Sequence, residues 1–230
     1  MPMSYRVSLV AAFGLLCLAS APGKAEIIPT DGVGVAGLLS DADFYRLATC
    51  GAPPGGACEA PALRWQKRRL TVAIVMDDTP VEPGFEDRLT VALADAVAEV
   101  NGVGAGISLR VTNAPSADIV VRPTDLPEGT VLTESPGFSG AGIMGVGYMT
   151  VWSNADNDIL EAVILISTSI TDDDLPSVML EEVTQSLGFL YDIEGAAYEG
   201  VSILSQTSNA TVRLTGQDAT LLHLHYPPNP

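Results

Sequence analysis

The most constraining feature of this sequence is an apolar strand pattern with a helix pattern directly after it. Residues 161–168 read EAVILIST, the β-branched composition of a buried strand, and residues 171–192 read TDDDLPSVMLEEVTQSLGFLYD. Asp174 and Pro176 are typical of a helix start, and Gly188 is typical of a helix end. A buried strand that leads at once into a helix predicts a sheet with a helix packed against it.

The preceding residues repeat this mixture of strands and helices. RRLTVAIVMDD predicts a strand, and the three- and four-residue spacing of apolar positions in GFEDRLTVALADAVAEVNG predicts a helix. Further strands are predicted at ISLRV, ADIVVRP and GYMTVWSN, with a long glycine-rich loop over residues 124–147 and a short C-terminal helix from Gly216. The order predicts an α+β fold.

The first 25 residues have the pattern of a secretory signal peptide. Arg6 precedes an apolar stretch too short to span a bilayer, and Gly23-Lys24-Ala25 offers a site for cleavage after Ala25. Lipidation of Cys17 is the alternative, although Leu16 occupies a position where that signal requires a small residue. We therefore expect an exported protein, periplasmic or extracellular, that no longer contacts the membrane after cleavage.

The charge of the chain excludes one class of partner. Cleavage removes Arg6 and Lys24 and no acid, so the formal net charge changes from −17 to −19. A surface this acidic repels phosphate backbones, and we expect no nucleic-acid partner.

The mature chain divides into two predicted regions. Residues 26–64 are predicted to form an N-terminal extension with a turn-rich start, a short helix capped by Ser40, and a Gly/Pro-rich loop that contains Cys50 and Cys58. Two cysteines in an exported chain favour a disulfide, with two free thiols as the alternative. Residues 65–230 are predicted to form the main domain.

The helix EEVTQSLGFLYD resembles the active-site helix of zincin metallopeptidases, which carries His-Glu-x-x-His, often continued as x-x-Gly-x-x-His. When the two are aligned through Gly188, Glu181 falls at the first histidine and Glu182 at the catalytic glutamate. Gln185 then falls at the second histidine and Tyr191 at the third ligand, with Asp192 next to it. The resemblance implies a mixed sheet with a long helix packed behind it and a degenerate active-site helix.

Two later segments extend the resemblance over residues 65–230. SILS is similar to the methionine turn of these enzymes, with Leu204 in place of methionine, and LTGQDATLLHLHY is similar to their closing helix, with Asp218 and Tyr226 at its matching positions. The combination Glu-Glu-x-x-Gln before Ser-Leu-Gly resembles an uncharacterised family of exported bacterial proteins. Gly188, Leu204 and Asp218 are expected to have structural roles.

The replaced residues change what the helix can bind. Positions i and i+4 share one helix face, so two histidines at that spacing would present imidazoles to one zinc ion. A carboxylate at Glu181 can ligate zinc, but the neutral amide of Gln185 is a poor substitute, and oxygen donors suit calcium or magnesium better. We expect no resident metal or other cofactor; a weakened site for zinc or another divalent ion is the alternative.

The two histidines, His223 and His225, lie near the C-terminus. On a helix their two-residue spacing points them in different directions, so they cannot both ligate one ion there. We predict that they interact with the negative end of the last helix.

Three hypotheses follow from the sequence. The first is a non-catalytic module that binds a peptide or protein in a peptidase-shaped cleft, with GYMTVWSN or its neighbour as the edge strand. The second is an atypical metallohydrolase that uses Glu182 as general base. The third is another α+β module, in which the helix and the edge strand would not face each other.

Overall fold

The computed structural model describes residues 32–132 and 142–228. The predictions for the signal segment, for Ala25 and Cys17, and for residues 133–141 of the glycine-rich loop lie outside the described residues. The elements, in chain order, are β1 (Gly32–Gly34), α1 (Asp41–Cys50), β2 (Arg69–Ile74), α2 (Phe85–Gly102), β3 (Ser108–Val111), β4 (Ile119–Thr124), β5 (Val131–Leu132), β6 (Gly142–Ile143), β7 (Gly147–Ser153), β8 (Ile159–Ser167), α3 (Leu175–Gln185), β9 (Asp192–Glu194) and α4 (Gly216–His225).

The central element is a five-stranded mixed sheet. Its strand order is β3-β2-β4-β8-β7. The first four of these strands run parallel to their neighbours, whereas β7 runs antiparallel to β8 and forms one edge of the sheet within the described residues. The α+β class with a mixed sheet, predicted from the sequence, is confirmed.

One face of the sheet carries the main hydrophobic core. The long helix α2 and the helix α3 pack against each other and bury residues such as Leu89, Leu93 and Met179 against inward side chains of the sheet such as Val72 and Ile164. Among the described residues, the opposite face has a small separate cluster formed by Ala73, Ala117, Val120 and Val163. The helix α3 also contacts the edge strand β7.

The N-terminal region is part of the same core. In α1, Phe44 and Leu47 are fully buried in the main cluster, and α1 packs against α4. The Ser40 side chain caps α1 by accepting a hydrogen bond from the Asp43 amide, as predicted. The predicted disulfide between Cys50 and Cys58 is present directly after this helix.

Two pairs of short strands were not predicted from the sequence. Residues 32–34, interpreted as part of a turn-rich segment, form β1 and pair in parallel with β9. The glycine-rich loop, interpreted as irregular, contains the antiparallel pair of β5 and β6. Strands of two or three residues are too short to show a period-two hydrophobic pattern, and two of these four contain glycine, so pairing with a partner alone identifies them.

No helix among the described residues is long and apolar enough to cross a lipid bilayer.

Candidate functional site

A cleft of about 790 Å³ lies between the edge strand β7 and the helix α3. One wall is formed by residues 142–151, which include the first five residues of β7, and the other by the α3 side chains of Val178, Glu181, Glu182 and Gln185. Leu190, Asp192, Ser205 and Gln206 add to its lining. The helix and the edge strand therefore face each other, which is the arrangement that the resemblance implied and that the third hypothesis excluded.

Glycine at the start of β7 permits a close approach to α3. A Cβ atom at Gly147 would collide with the carboxylate Oε1 of Glu182 and with Cγ1 of Val178. Glu182 is only 7% exposed. The residue at the catalytic position of the resemblance is thus held inside the cleft, against the backbone of the edge strand.

The second replaced position, Gln185, is engaged within the chain itself. Its side-chain Nε2 donates a hydrogen bond of 2.7 Å to Oδ1 of Asp192. Both residues are buried, at 7% and 5% exposure. This contact links the end of α3 to β9 and fixes the two side chains relative to each other.

Tyr191 is directed away from the cleft. Its ring lies against Gly51, where a Cβ atom would come within 2.5 Å of Cε1, and its backbone amide donates to the carbonyl of Ala48 at the end of α1. Burial, followed by the nearby carboxylate of Glu59, raises the pKa of the Tyr191 phenol. The structure therefore brings Glu181, Glu182, Gln185 and Asp192 together, whereas Tyr191 contacts the disulfide region.

The turn that resembles the methionine turn forms part of the floor of the cleft. Leu204 is fully buried, and its carbonyl accepts a hydrogen bond from the Ile193 amide of β9. Asp218, at the start of α4, accepts hydrogen bonds from the Ser202 hydroxyl at 2.7 Å and from the Ile203 amide at 2.9 Å. Burial raises the pKa of Asp218 to about 6, against the effect of these two bonds.

Gly188 allows the chain to leave α3 next to the N-terminal region. Its φ of 107° lies in the left-handed region, and a Cβ atom would collide with the Leu63 carbonyl oxygen. His225 lies at the same place, with Nε2 3.0 Å from that oxygen and Nδ1 3.1 Å from the Tyr45 hydroxyl.

The predicted role of His225 is wrong. Burial lowers its pKa to about 4, so the ring is neutral near pH 7 and cannot act as a cation at the helix end. It joins α4 to α1 and to Leu63 by hydrogen bonds, whereas His223 is exposed. No local pattern indicates this role, because Tyr45 lies 180 positions away in the sequence.

The residues that face the cleft do not fit a zinc ion. Zinc sites use imidazole, thiolate or carboxylate donors that converge on one point. In the described part of the chain no group of three or more His, Cys, Asp or Glu side chains converges in this way. The Gln185–Asp192 hydrogen bond engages one oxygen of the Asp192 carboxylate, and Gln185 offers a neutral amide in place of an imidazole.

A second cavity, of about 890 Å³, lies over the opposite face of the sheet. Its lining combines Arg122 with Asp77, Asp118 and Glu161, and the last residues of β4. The Arg122 guanidinium pairs with Asp77, and Asp118 accepts hydrogen bonds from Lys67 and Thr71. Arg122 and Asp118 are thus engaged with neighbouring residues of the chain, and we take the cleft beside β7 as the better candidate site.

The fold and the cleft together define an α+β protein whose antiparallel edge strand faces a helix across a groove. The chain belongs to the family described as "Protein of unknown function (DUF2927)", which matches residues 65–229. No curated protein is significantly similar to it in sequence. Among solved structures it is similar to "Structure of Myroilysin", at 13% identity and a TM-score of 0.43, over 72% of this chain and 83% of that one. At that identity the likeness says nothing about activity.

Proposed function

We propose that this protein binds an extended peptide or protein segment in the cleft between β7 and α3, without cleaving it. The observation that carries the proposal is the position of β7, an antiparallel edge strand along one wall of the cleft. An edge strand offers backbone donors and acceptors to an added strand.

The register of β7 identifies the backbone groups that would bind. The Ser167 amide donates to the Val146 carbonyl, so residues 146 and 167 form a hydrogen-bonded pair. In an antiparallel ladder such pairs alternate, so the N–H and C=O groups of Gly147, Met149 and Val151 point away from β8. An added strand would pair with these three residues.

The proposal that the cleft is non-catalytic is supported by the contact between Gln185 and Asp192. A zinc-activated water is what gives this type of cleft its hydrolytic chemistry. Here the amide of Gln185 donates to Asp192 and neither side chain offers an imidazole. The α3 wall of the cleft, which carries Gln185, therefore supports binding without hydrolysis best.

The test uses N-methylated peptides, because they leave the protein unchanged. An extended peptide that pairs with β7 directs alternate amides toward it. N-methylation of one alternate set should weaken binding by tenfold or more, at about 1 kcal/mol for each lost bond, and N-methylation of the other set should leave it within about twofold. Fluorescence anisotropy measures both. Equal losses for the two sets would contradict strand addition.

Glu182 supports a second candidate function. Its carboxylate lies in the cleft at the position of the general base in the resemblance. An atypical metallohydrolase predicts stoichiometric metal after metal-free purification and re-addition, and chelator-sensitive hydrolysis that Glu182→Gln abolishes. Our proposal predicts neither, and it expects Glu182→Gln to bind an uncharged peptide as the parent protein does. Exposed Glu86→Gln serves as the matched control.

We further propose that the protein acts in the cell envelope or outside the cell. The signal pattern of residues 1–25 and the Cys50–Cys58 disulfide support export, since disulfides persist in oxidising compartments.

A further inference from the structure

We propose that the cleft selects peptide segments that carry Lys or Arg side chains. This inference rests on the proposed function, because it names the chemistry of the segment that would lie along β7. The first observation is the charge of the lining. It contains four acidic residues, Glu128, Glu181, Glu182 and Asp192, and among the described residues it contains no Lys, Arg or His.

This imbalance is a property of the cleft and not of every concave surface of the molecule. The cavity on the opposite face of the sheet also has acids, but Arg122 lies among them and pairs with Asp77. The acids of the cleft come from two separate walls, since Glu128 precedes β5 and Glu181 is on α3. A cation between the walls would be attracted from both sides.

A second and independent observation is a buried hydroxyl group at the floor of the cleft. Ser205 is 2% exposed, and within the described structure its Oγ has no hydrogen-bond partner. Buried hydroxyl groups are normally hydrogen-bonded, so an unsatisfied one in the lining of a cleft indicates a polar group that is supplied on binding.

The position of Ser205 relates it to the acidic wall. Ser205 forms a bridge with Ile193, and Ile193 directly follows Asp192. An ammonium has three donors and a guanidinium has five, and neither has an acceptor. One cationic side chain can therefore donate to the Ser205 hydroxyl and to a carboxylate at the same time.

Strand addition determines which peptide side chains reach these groups. Successive side chains of an extended peptide point to opposite faces, so every second one would face α3 and its acids. The formal net charge of −17 adds long-range attraction for a basic segment. The structure thus favours an extended segment with Lys or Arg at alternate positions.

The experiment compares three blocked octapeptides that alternate Thr with Lys, Gln or Glu. Each peptide carries a fluorophore and is titrated with the full mature protein, and fluorescence anisotropy reports binding. We expect the Lys peptide to bind about tenfold more tightly than the Gln peptide at low salt, with a smaller ratio at about 0.15 M salt, and the Glu peptide to bind most weakly.

Two double variants separate the local effect from the net charge. Glu128→Gln with Glu181→Gln removes two charges from the cleft, and Glu82→Gln with Glu86→Gln removes two exposed charges elsewhere. The first pair should reduce affinity for the Lys peptide about fivefold and leave the Gln peptide unchanged. The second pair should change either affinity by less than about twofold.

Ser205→Ala tests the hydroxyl group separately. It should weaken binding of the Lys peptide about threefold and binding of the Gln peptide by less, since the neutral Gln amide donates a weaker hydrogen bond to Oγ than an ammonium does. A purely structural serine would leave both affinities unchanged.

The outcomes distinguish this inference from the proposed function. If the Lys and Gln peptides bind equally, and the Gln peptide still discriminates between the two N-methylated sets, the charge selectivity is wrong and strand addition stands. If both double variants lose affinity for the Lys peptide equally, the selectivity arises from net charge, and the inference that the cleft causes it is overturned. If none of the three peptides binds, both proposals are overturned.

Discussion

Two buried side chains, Asp218 and His225, have shifted pKa values. The two shifts make the stability of the fold depend on pH in opposite directions. Burial raises the pKa of Asp218 to about 6 from 3.8, so between these values the folded state holds a proton that the unfolded state has lost. Burial lowers the pKa of His225 to about 4 from 6.5, so between these values the unfolded state holds the additional proton. Both side chains help to assemble the region behind the cleft.

The signs follow from proton linkage. The contribution of Asp218 to the free energy of unfolding is complete below about pH 4 and is lost as the pH rises through 6. The contribution of His225 is complete above about pH 6.5 and is lost as the pH falls through 4. Each change amounts to about 3 kcal/mol of unfolding free energy, and the two nearly cancel between pH 4 and 6.

We therefore expect single substitutions to uncover opposite slopes. In Asp218→Asn the free energy of unfolding should fall as the pH is lowered from about 6 to 4, and in His225→Gln it should fall as the pH is raised over the same range. Urea unfolding at several pH values measures both. Asp95→Asn, an exposed change on α2, is the control and should keep the parent slope. Slopes of the same sign in the two variants would contradict the assigned protonation states.

At the scale of elements, α1 is more closely integrated than its position in the sequence indicates. Phe44 and Leu47 are buried in the main core, and α1 packs against α4. The Tyr45 hydroxyl is 3.1 Å from Nδ1 of His225. β1 adds a parallel pairing with β9, next to the Asp192 that lines the cleft. The division at residue 65 stays a prediction about domain boundaries, but the two regions share one core.

Removal of residues 1–64 should therefore prevent stable folding. Loss of buried side chains such as Phe44 and Leu47 costs about 2 to 5 kcal/mol each, against a total stability of about 5 to 15 kcal/mol. Circular dichroism in urea should show a cooperative transition for a chain that begins at Gly32 and none, or a strongly weakened one, for a chain that begins at Trp65. Equal midpoints for the two chains would show that α1 is dispensable.

At the scale of the whole molecule, the fold leaves the β7 side of the sheet accessible while it covers the main core. The helices α2 and α3 pack on one face, and β7 ends the described sheet at the cleft. The cleft is lined by acids without bases in the described structure, within a chain of formal net charge −17. Shape and charge at this edge are both consistent with the partner that we propose, an extended and basic segment.

The local sequence determined the elements that are long and periodic. Burial against a sheet or along one helix face requires apolar residues at regular spacing. That spacing could be recognised in single segments of the sequence, and it is present in β2, β4, β7, β8, α2 and α3. The four-residue spacing of Glu181 and Gln185 likewise predicted that both face the cleft. Short pairings such as β1 with β9 have no such periodicity.

Only the tertiary structure decided how distant residues are used. The contact of His225 with Tyr45, the rotation of Tyr191 toward Gly51, and the bond from Gln185 to Asp192 depend on which elements meet in space. Spacing along one helix fixes direction because its geometry is regular, whereas contacts between elements depend on packing that no local pattern encodes. The sequence therefore predicted the helix that faces the cleft, and the packed structure determined which of its polar groups remain available to a ligand.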